Sequence, residues 1–317
     1  MSRYNKLMLE QDIVIPFLDN STKLVVDTDY GNSLSIFSSS EGGDMKSIVE
    51  VDWGDGLKEP YLIGHSDTIS HKYTKAGKFK VIIKHRPYAS LKFYDQDIIT
   101  EVTSIGYMDN YNGTFMQCEN LSKLEYDCFK KRKSITSLVN TFKNCFSLQS
   151  IPGSLLNGMT ELECIDGLFK GCSLYSIPEL LFLSNFNLKS LVGTFQDNPI
   201  SILKTNIFKN TSKITNMSYC FAGTSIETID PNIFDKLVNL LDVSYIFYDC
   251  LILKTIPEDL FKFSTKLYNV TGTFCNTVCL EKLPTSTFKY NKNISESRHV
   301  VVNCKGWNGE QIIFSEK

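Results

Sequence analysis

The stretch Ile214-Thr215-Asn216-Met217-Ser218-Tyr219-Cys220-Phe221 has apolar residues seven and four positions before its phenylalanine. The same spacing recurs at phenylalanines that lie 27, 27, 26, 26, 26 and 27 residues apart: Phe115, Phe142, Phe169, Phe195, Phe221, Phe247 and Phe274. Self-similarity at a fixed period of about 20–50 residues is the signature of a repeat architecture. The sequence therefore predicts seven consecutive repeat units.

Each unit contains further apolar positions after its phenylalanine. An apolar pair spaced three apart is followed, five residues later, by a second large apolar row: Phe129, Leu156, Phe182, Phe208, Phe234, Phe261 and Phe288. Burial of the few apolar side chains in one unit cannot offset the entropy lost on ordering it, so a unit needs neighbours. We expect stacked coils of leucine-rich-repeat length, in which the phenylalanines of successive coils pack together.

Residues 1–100 lack this repeat and contain short segments of alternating apolar and polar residues. Such alternation, as in Phe79-Lys80-Val81-Ile82-Ile83-Lys84, is typical of half-buried β-strands. We expect six strands, at Ile13–Phe17, Lys23–Asp27, Ser33–Phe37, Ser47–Trp53, Lys78–Lys84 and Leu91–Tyr94. These segments predict an all-β sandwich.

The last part of the chain departs from the repeat. An eighth unit begins at Ile294, six residues after Phe288, and then loses the apolar pattern. This is typical of a cap over the open end of a solenoid, and Trp307-Asn308-Gly309 is expected to form its closing turn. The predicted fold is mainly β: a sandwich over residues 1–100, a solenoid of seven 26–27-residue coils over 101–293, and a C-terminal cap over 294–317.

Two phrases carry a family resemblance: Ile214 to Phe221, and Ser150-Ile151-Pro152-Gly153-Ser154-Leu155-Leu156, which follows Thr141-Phe142-Lys143-Asn144-Cys145. They resemble the BspA-type leucine-rich repeats of bacterial surface proteins, over about residues 100–295. The resemblance implies a leucine-rich-repeat fold and an adhesin or another binding protein. Related repeats also occur in phage structural proteins and in some protist proteins.

A second resemblance covers about residues 20–85. The segment Val51-Asp52-Trp53-Gly54-Asp55-Gly56, followed by His71-Lys72-Tyr73-Thr74-Lys75-Ala76-Gly77, is similar to the polycystic-kidney-disease (PKD) type of immunoglobulin-like domain. We expect Gly54 and Gly56 to supply the positive backbone angles of a tight hairpin, and Trp53 to fill the sandwich. The resemblance implies a spacer or a carbohydrate- or protein-binding module without catalysis, which can also cap the solenoid.

Composition excludes several classes of protein. The 317 residues are 42% hydrophobic and 21% charged, which is ordinary for a globular chain. With 33 Lys plus Arg against 35 Asp plus Glu, we predict no nucleic-acid partner. No apolar run reaches the roughly 18 residues of a membrane span, and charges interrupt residues 1–20 where a secretory signal would lie. We therefore expect synthesis in a cytosol and no membrane insertion.

Groups that could perform chemistry are scattered. The four histidines lie far apart, at His65, His71, His85 and His299. Asp52 and Asp55 are compatible with a carboxylate pair, a calcium loop or caps of a hairpin turn, and their spacing favours the caps. We predict that the protein is not an enzyme and has no catalytic residues, no cofactor and no metal.

Four cysteines share one repeat position, three residues after a phenylalanine: Cys118, Cys145, Cys172 and Cys250. In successive coils they would lie about 5 Å apart, which is compatible with disulfides or with small apolar residues in a turn. A reducing compartment favours thiols.

The residues between the two members of each apolar pair project from stacked strands. They form a candidate binding ladder: Lys123, Gln149, Tyr175, Ile202, Glu227, Lys254 and Glu281. The alternative is a solvated sheet face, although Tyr175 and Ile202 are more apolar than solvation requires.

We expect a non-enzymatic structural or binding protein of a bacteriophage virion, such as a capsid decoration, fibre or tail protein. Its partners would be other virion proteins, a host-surface protein or glycan, or copies of itself in an assembly. The alternative is a BspA-type adhesin on a bacterial or protist cell surface, exported without a cleaved signal.

Overall fold

The computed structural model describes residues 20–39, 47–87, 89–129, 132–204 and 206–305. No α-helix occurs in these ranges. The predicted strand Ile13–Phe17 and the predicted turn at Trp307–Gly309 lie outside the described residues. The strands within them are β1 (Ser21–Asp27), β2 (Ser33–Ser38), β3 (Ser47–Asp52), β4 (Lys58–Ile63), β5 (Thr68–Lys72), β6 (Lys78–His85), β7 (Leu91–Lys92), β8 (Ile99–Ser104) and β9 (Lys123–Leu124).

The N-terminal strands form two sheets. One has the order β4-β3-β6-β1-β8-β9, and the other has the order β5-β2-β7. Neighbours pair antiparallel except β8 and β9, which pair in parallel. Buried apolar residues of both sheets, among them Val26 and Leu34, belong to the hydrophobic cluster that continues through the coils. Because β9 belongs to the first coil, the solenoid extends the larger sheet.

The hairpin between β3 and β4 confirms two expectations. Gly54 and Gly56 have φ of +82° and +102°, and Trp53 is fully buried. A side chain at Gly54 would collide with the backbone of Lys80, so glycine is needed there for space as well as for its backbone angle. The hydroxyl of Tyr73 donates to the carbonyl of Trp53 at 3.1 Å and ties the next corner to this hairpin. The immunoglobulin-like topology stays a prediction.

The expected strands within the described ranges are present, with ends that differ by a few residues. Three further strands of these two sheets, β4, β5 and β8, were not predicted. β8 is an inner strand that pairs with β1 and β9 and begins at Ile99, where the predicted sandwich ends. β4 and β5 lie at the edges of their sheets; β4 contains Pro60, and β5 buries only Ile69 among its residues. An edge strand has a neighbouring strand on one side only and buries fewer of its side chains. Its sequence therefore lacks the clear apolar alternation that reveals an inner strand.

The coils stack as predicted. Rings of the phenylalanine row lie 5.7–6.1 Å apart between centroids and within 17° of parallel from Phe115 to Phe274. The amide of each phenylalanine donates to the next coil, as from Phe142 to the Leu168 carbonyl at 3.0 Å. On an adjacent wall, parallel bridges join one position per coil: Ser137, Cys164, Ser190, Asn216, Asp242, Asn269 and Glu296.

The phenylalanine row begins before the first predicted unit. Phe93, which follows β7, stacks on Phe115 with centroids 5.2 Å apart, and its amide donates to the Thr114 carbonyl at 2.7 Å. The N-terminal region therefore supplies the first ring of the solenoid. The interval from Phe93 to Phe115 is 22 residues, shorter than the repeat, so periodicity alone did not reveal it.

The coil register also continues after Ile294. Phe274 donates its amide to the carbonyl of Val300 at 2.9 Å, which places Val301 at the phenylalanine position of the eighth coil. Val301 is partly buried against the core. A smaller apolar side chain thus ends the ring stack within the described residues.

The cysteine row forms hydrogen bonds between coils. The thiol of each of these cysteines donates to the carbonyl of the phenylalanine one coil earlier: Cys118 to Phe93, Cys145 to Phe115, Cys172 to Phe142 and Cys250 to Phe221, at 3.0–3.2 Å. Asn198 makes the equivalent bond to Phe169 at 2.7 Å. Thr224 and Thr277 take the same position but donate to the phenylalanine carbonyl of their own coil, at 2.7 Å. These buried positions therefore contain small side chains that can donate a hydrogen bond.

We expect the thiols to react with alkylating reagents in an order set by burial. Cys279 is exposed, whereas Cys118 and Cys172 are buried and their pKa values are raised to about 12 by desolvation. Because the thiolate is the reactive form, Cys279 should be alkylated first in the native protein and the buried thiols only after denaturation. Peptide mass spectrometry after iodoacetamide treatment measures this order, and Cys279→Ser should abolish the fastest labelling. Native labelling of Cys172 as fast as Cys279 would contradict the burial.

Candidate functional site

The predicted binding ladder lies along one exposed wall of the solenoid. All seven side chains are exposed: Lys123, Gln149, Tyr175, Ile202, Glu227, Lys254 and Glu281. Five of them directly follow the first member of their apolar pair, whereas Lys123 and Ile202 lie one residue further along the strand. Backbone bonds join the coils at these positions, as from Lys254 to the Glu227 carbonyl at 3.0 Å. The wall is therefore continuous, and its role in binding stays a prediction.

Most charges on this wall are paired with each other. Lys123 lies 2.7 Å from Glu125 and 3.1 Å from Glu101, and hydrogen bonds to these carboxylates raise the pKa of its ammonium group. Lys254 forms an ion pair with Glu227. Exposed pairs of this kind contribute little to stability. These ion pairs neutralise the charges of the wall locally. A partner would therefore meet no strong electrostatic potential of one sign there.

The centre of the ladder is apolar. Tyr175 is 57% exposed and Ile202 is 63% exposed, and a backbone bridge between Ser176 and Ile202 makes their coils neighbours. Large apolar side chains on a rigid exposed wall are typical of surfaces that become buried in a complex. Burial of this pair against a partner would give the largest hydrophobic contribution to the binding free energy of any part of the ladder.

A second surface, not predicted from the sequence, borders the phenylalanine row. Residues two positions before the repeat phenylalanines have φ between 54° and 64°: Gly113, Asn140, Gly167, Gly193, Tyr219, Tyr245 and Gly272. We call this set the left-handed row. Residues two positions after the phenylalanines have φ between 56° and 68°: Gln117, Asn144, Gly171, Asp197, Gly223, Asp249 and Asn276. The enrichment of Gly, Asn and Asp at both spacings was a signal in the sequence that could have revealed this surface.

Side chains of one coil lie across glycines of the next in the left-handed row. The Asn140 carboxamide lies over Gly167, and the Tyr245 ring lies over Gly272, where an added Cβ would collide with each. Gly167 has no side chain to lie across Gly193 in the same way. Over Gly193 the nearest atom to an added Cβ is instead the Oε1 atom of Gln196, 3.1 Å away at the end of a flexible side chain of the same coil, so apart from that carboxamide the row is open there.

At this opening the surface forms a groove of about 370 Å³, which we call the glycine groove. Its lining includes Asn140, Lys143, Lys170, Gly193, Gln196 and Tyr219. The volume falls within the range of about 300–1,000 Å³ found for small-molecule sites. The groove therefore combines cationic, amide and aromatic side chains from four successive coils.

Tyr219 closes one end of the glycine groove. Its ring stacks on Tyr245 with centroids 4.7 Å apart and planes 11° from parallel. Both tyrosines have φ of 56°, a conformation that costs a residue with a Cβ about 1–2 kcal/mol. Strained residues of this kind cluster at functional sites.

The hairpin carboxylates act as turn caps, as expected. Asp52 accepts from the Gly54 amide at 3.0 Å, and Asp55 accepts from the Leu57 amide at 3.1 Å. Asp55 also lies 2.8 Å from the imidazole of His71. Although burial acts to raise it, these hydrogen bonds hold the pKa of Asp55 below its ordinary value.

No group of three or more His, Cys, Asp or Glu side chains in the described ranges is placed to hold a metal ion. No helix in the described part of the chain has the length and apolar character needed to cross a membrane.

No protein-family model and no curated protein matches this chain. A solved structure of the Toll–Spatzle complex from Drosophila matches 53% of this chain and 29% of its own, with 17% identity and a TM-score of 0.35. A TLR13–ssRNA13 complex matches 65% of this chain and 41% of its own, with 15% identity and a TM-score of 0.33. This chain therefore spans less than half the length of either matched chain. The hydrogen-bond ladders and ring stacks, not these likenesses, define its fold.

Proposed function

We propose that this protein is a non-enzymatic structural and binding component of a bacteriophage virion, acting as a capsid decoration, fibre or tail protein. The observation that carries the binding role is the exposed apolar pair of Tyr175 and Ile202 on a wall whose neighbouring charges are already paired. The assignment to a virion is supported by the resemblance of the repeats to those of phage structural proteins. The partners we propose are other virion proteins or a host-surface protein or glycan.

Stacked coils suit such a role because every described coil is tied to its neighbours by backbone hydrogen bonds and buried rings. A long wall on a rigid scaffold presents side chains in fixed positions, so little conformational entropy is lost on binding. A partner with a matching repeat spacing of about 5 Å would meet one side chain per coil.

We expect the protein to copurify with virus particles. Quantitative mass spectrometry of purified particles, cell envelope and cytosol should find it in particles at a fixed ratio to the major capsid protein. Ile202→Lys would place a charge in the apolar centre of the ladder and should reduce incorporation severalfold, whereas Leu251→Lys, at a 49% exposed site outside the ladder, should not.

Two results would contradict the proposal. Enrichment in the envelope without particles would favour the alternative function, a BspA-type surface adhesin. Recovery only as soluble protein in the cytosol of the producing culture would exclude a virion component. If particles incorporated Ile202→Lys normally, the centre of the ladder would not be part of the contact with the particle. The assignment of the protein to the virion would be unaffected.

A further inference from the structure

The glycine groove presents two lysine side chains from neighbouring coils. Lys143 and Lys170 occupy the same position in neighbouring coils, one residue after the repeat phenylalanine, and both are partly buried. Neither forms an ion pair with a described residue. Asp166 also lines the groove, and its Oδ1 atom accepts from the Ser190 hydroxyl at 2.6 Å and the Val192 amide at 2.8 Å. With two lysines and one aspartate, the lining has an excess of positive charge. A ligand with a carboxylate would balance this excess.

The backbone of the groove argues against an extended peptide as that ligand. The Gly167 amide donates to the Val192 carbonyl at 2.8 Å, and the Gly193 amide donates to the Ser218 carbonyl at 2.9 Å. Peptides that bind by strand addition need unpaired amides and carbonyls at a sheet edge. Here the amides of Gly167 and Gly193 already donate hydrogen bonds to the next coil. Recognition of a ligand must therefore come from the side chains of the groove.

Those side chains suit a sugar. The Tyr219 ring lines the groove while its stacking on Tyr245 fixes its orientation, so it offers a flat apolar platform. Gln196 and Asn140 place carboxamides, which both donate and accept, along the same groove. A sugar ring has an apolar face for such a platform and hydroxyls around its edge for the carboxamides.

We propose that the glycine groove binds a carboxylate-bearing oligosaccharide, with a sugar ring on Tyr219 and a carboxylate between Lys143 and Lys170. This inference deepens the proposed function, on which it rests, by naming a host-surface glycan as the ligand and the groove as the site. The proposed function and the glycan site can be tested separately. Fractionation of particles needs no glycan, and titration of the purified full chain needs no particle.

The test uses isothermal titration calorimetry of the full chain with three probes. Tetragalacturonate carries carboxylates on sugar rings, maltotetraose carries none, and an amidated tetraglutamate peptide carries carboxylates without rings. Tetragalacturonate should bind saturably, more weakly as salt is raised, and at least about tenfold more tightly than either other probe.

Four variants locate the binding. The double variant K143Q/K170Q should weaken tetragalacturonate at least about tenfold by removing both charges, whereas Lys236→Gln, an exposed lysine elsewhere, should leave it unchanged. Gly193→Asn keeps a residue that tolerates positive φ and should block the groove with its side chain. Tyr219→Gly relieves backbone strain and removes the platform, so it should weaken binding without unfolding the chain.

The proposal fails if tetragalacturonate shows no saturable binding, or if binding survives Gly193→Asn in a folded protein, since the ligand would then lie elsewhere. Equal affinity for tetraglutamate, unaffected by Tyr219→Gly, would overturn it in favour of an acidic-peptide site. None of these results would bear on whether the protein copurifies with particles.

Discussion

Replacing Phe195 with alanine is expected to lower the free energy of unfolding by about 3–5 kcal/mol, the range for removing a fully buried aromatic side chain. Its ring lies between Phe169 and Phe221, at centroid distances of 6.1 and 5.9 Å, and contacts Phe182 of the second row at 6.4 Å. The loss combines buried apolar area with a cavity that the hydrogen-bonded coils on either side hold open. Urea denaturation followed by circular dichroism measures it.

Phe186 provides the matched control, since it belongs to the same stretch of the solenoid but is 53% exposed. Phe186→Ala should change the free energy of unfolding by less than about 0.5 kcal/mol, as is usual for surface substitutions. Similar effects for the two variants would mean that the ring stack does not hold the coils together.

Acidification is expected to destabilise the protein through His85, at the end of β6. This imidazole is fully buried, lies 3.2 Å from the Thr22 hydroxyl, and packs against Gly106, where an added Cβ would collide with it. Its pKa is lowered from 6.5 to about 4, mainly by burial and to a smaller extent by the nearby Arg132 charge, which together outweigh a hydrogen bond to the Arg86 carbonyl that favours the charged ring. The folded state therefore keeps the neutral ring.

Proton linkage gives the direction in which stability changes with pH. As the pH falls below 6.5, the unfolded chain binds a proton at His85 before the folded chain does, so stability falls until the pH reaches the folded-state pKa of about 4. A shift of this size corresponds to a loss of about 3 kcal/mol, at about 1.4 kcal/mol per pH unit. Urea denaturation at several pH values between 7 and 4 should show this slope.

The control is His85→Gln, which removes the titrating ring and should flatten this part of the pH profile, whatever its effect at pH 7. Glu50 also has a lowered pKa, because ion pairs with Lys84 and Lys58 outweigh its desolvation. Its contribution is lost only below about pH 4.5 and is shared by both proteins. Parallel pH profiles for the two proteins would show that His85 does not carry the effect.

The coils and their ring stack could be predicted from the sequence because repeat periodicity is a property of the chain itself. Every coil needs a large apolar side chain where it meets the next, so spacings of 26 and 27 residues place Phe115 to Phe274 in one row. The exposed ladder followed from the same register. The hairpin was equally local, since Trp53, Gly54 and Gly56 identify their own turn.

The tertiary structure alone revealed Phe93, the edge strands β4 and β5, and the glycine groove. Phe93 joins the ring row after an interval of 22 residues, because β7 brings it to the end of the stack. The groove exists because Gly167 leaves space above Gly193 while Tyr219 closes one end. All of these features depend on which residues, distant in the chain, become neighbours in the fold. Periodicity within the sequence specifies that the coils stack, but it does not specify the space left between their side chains.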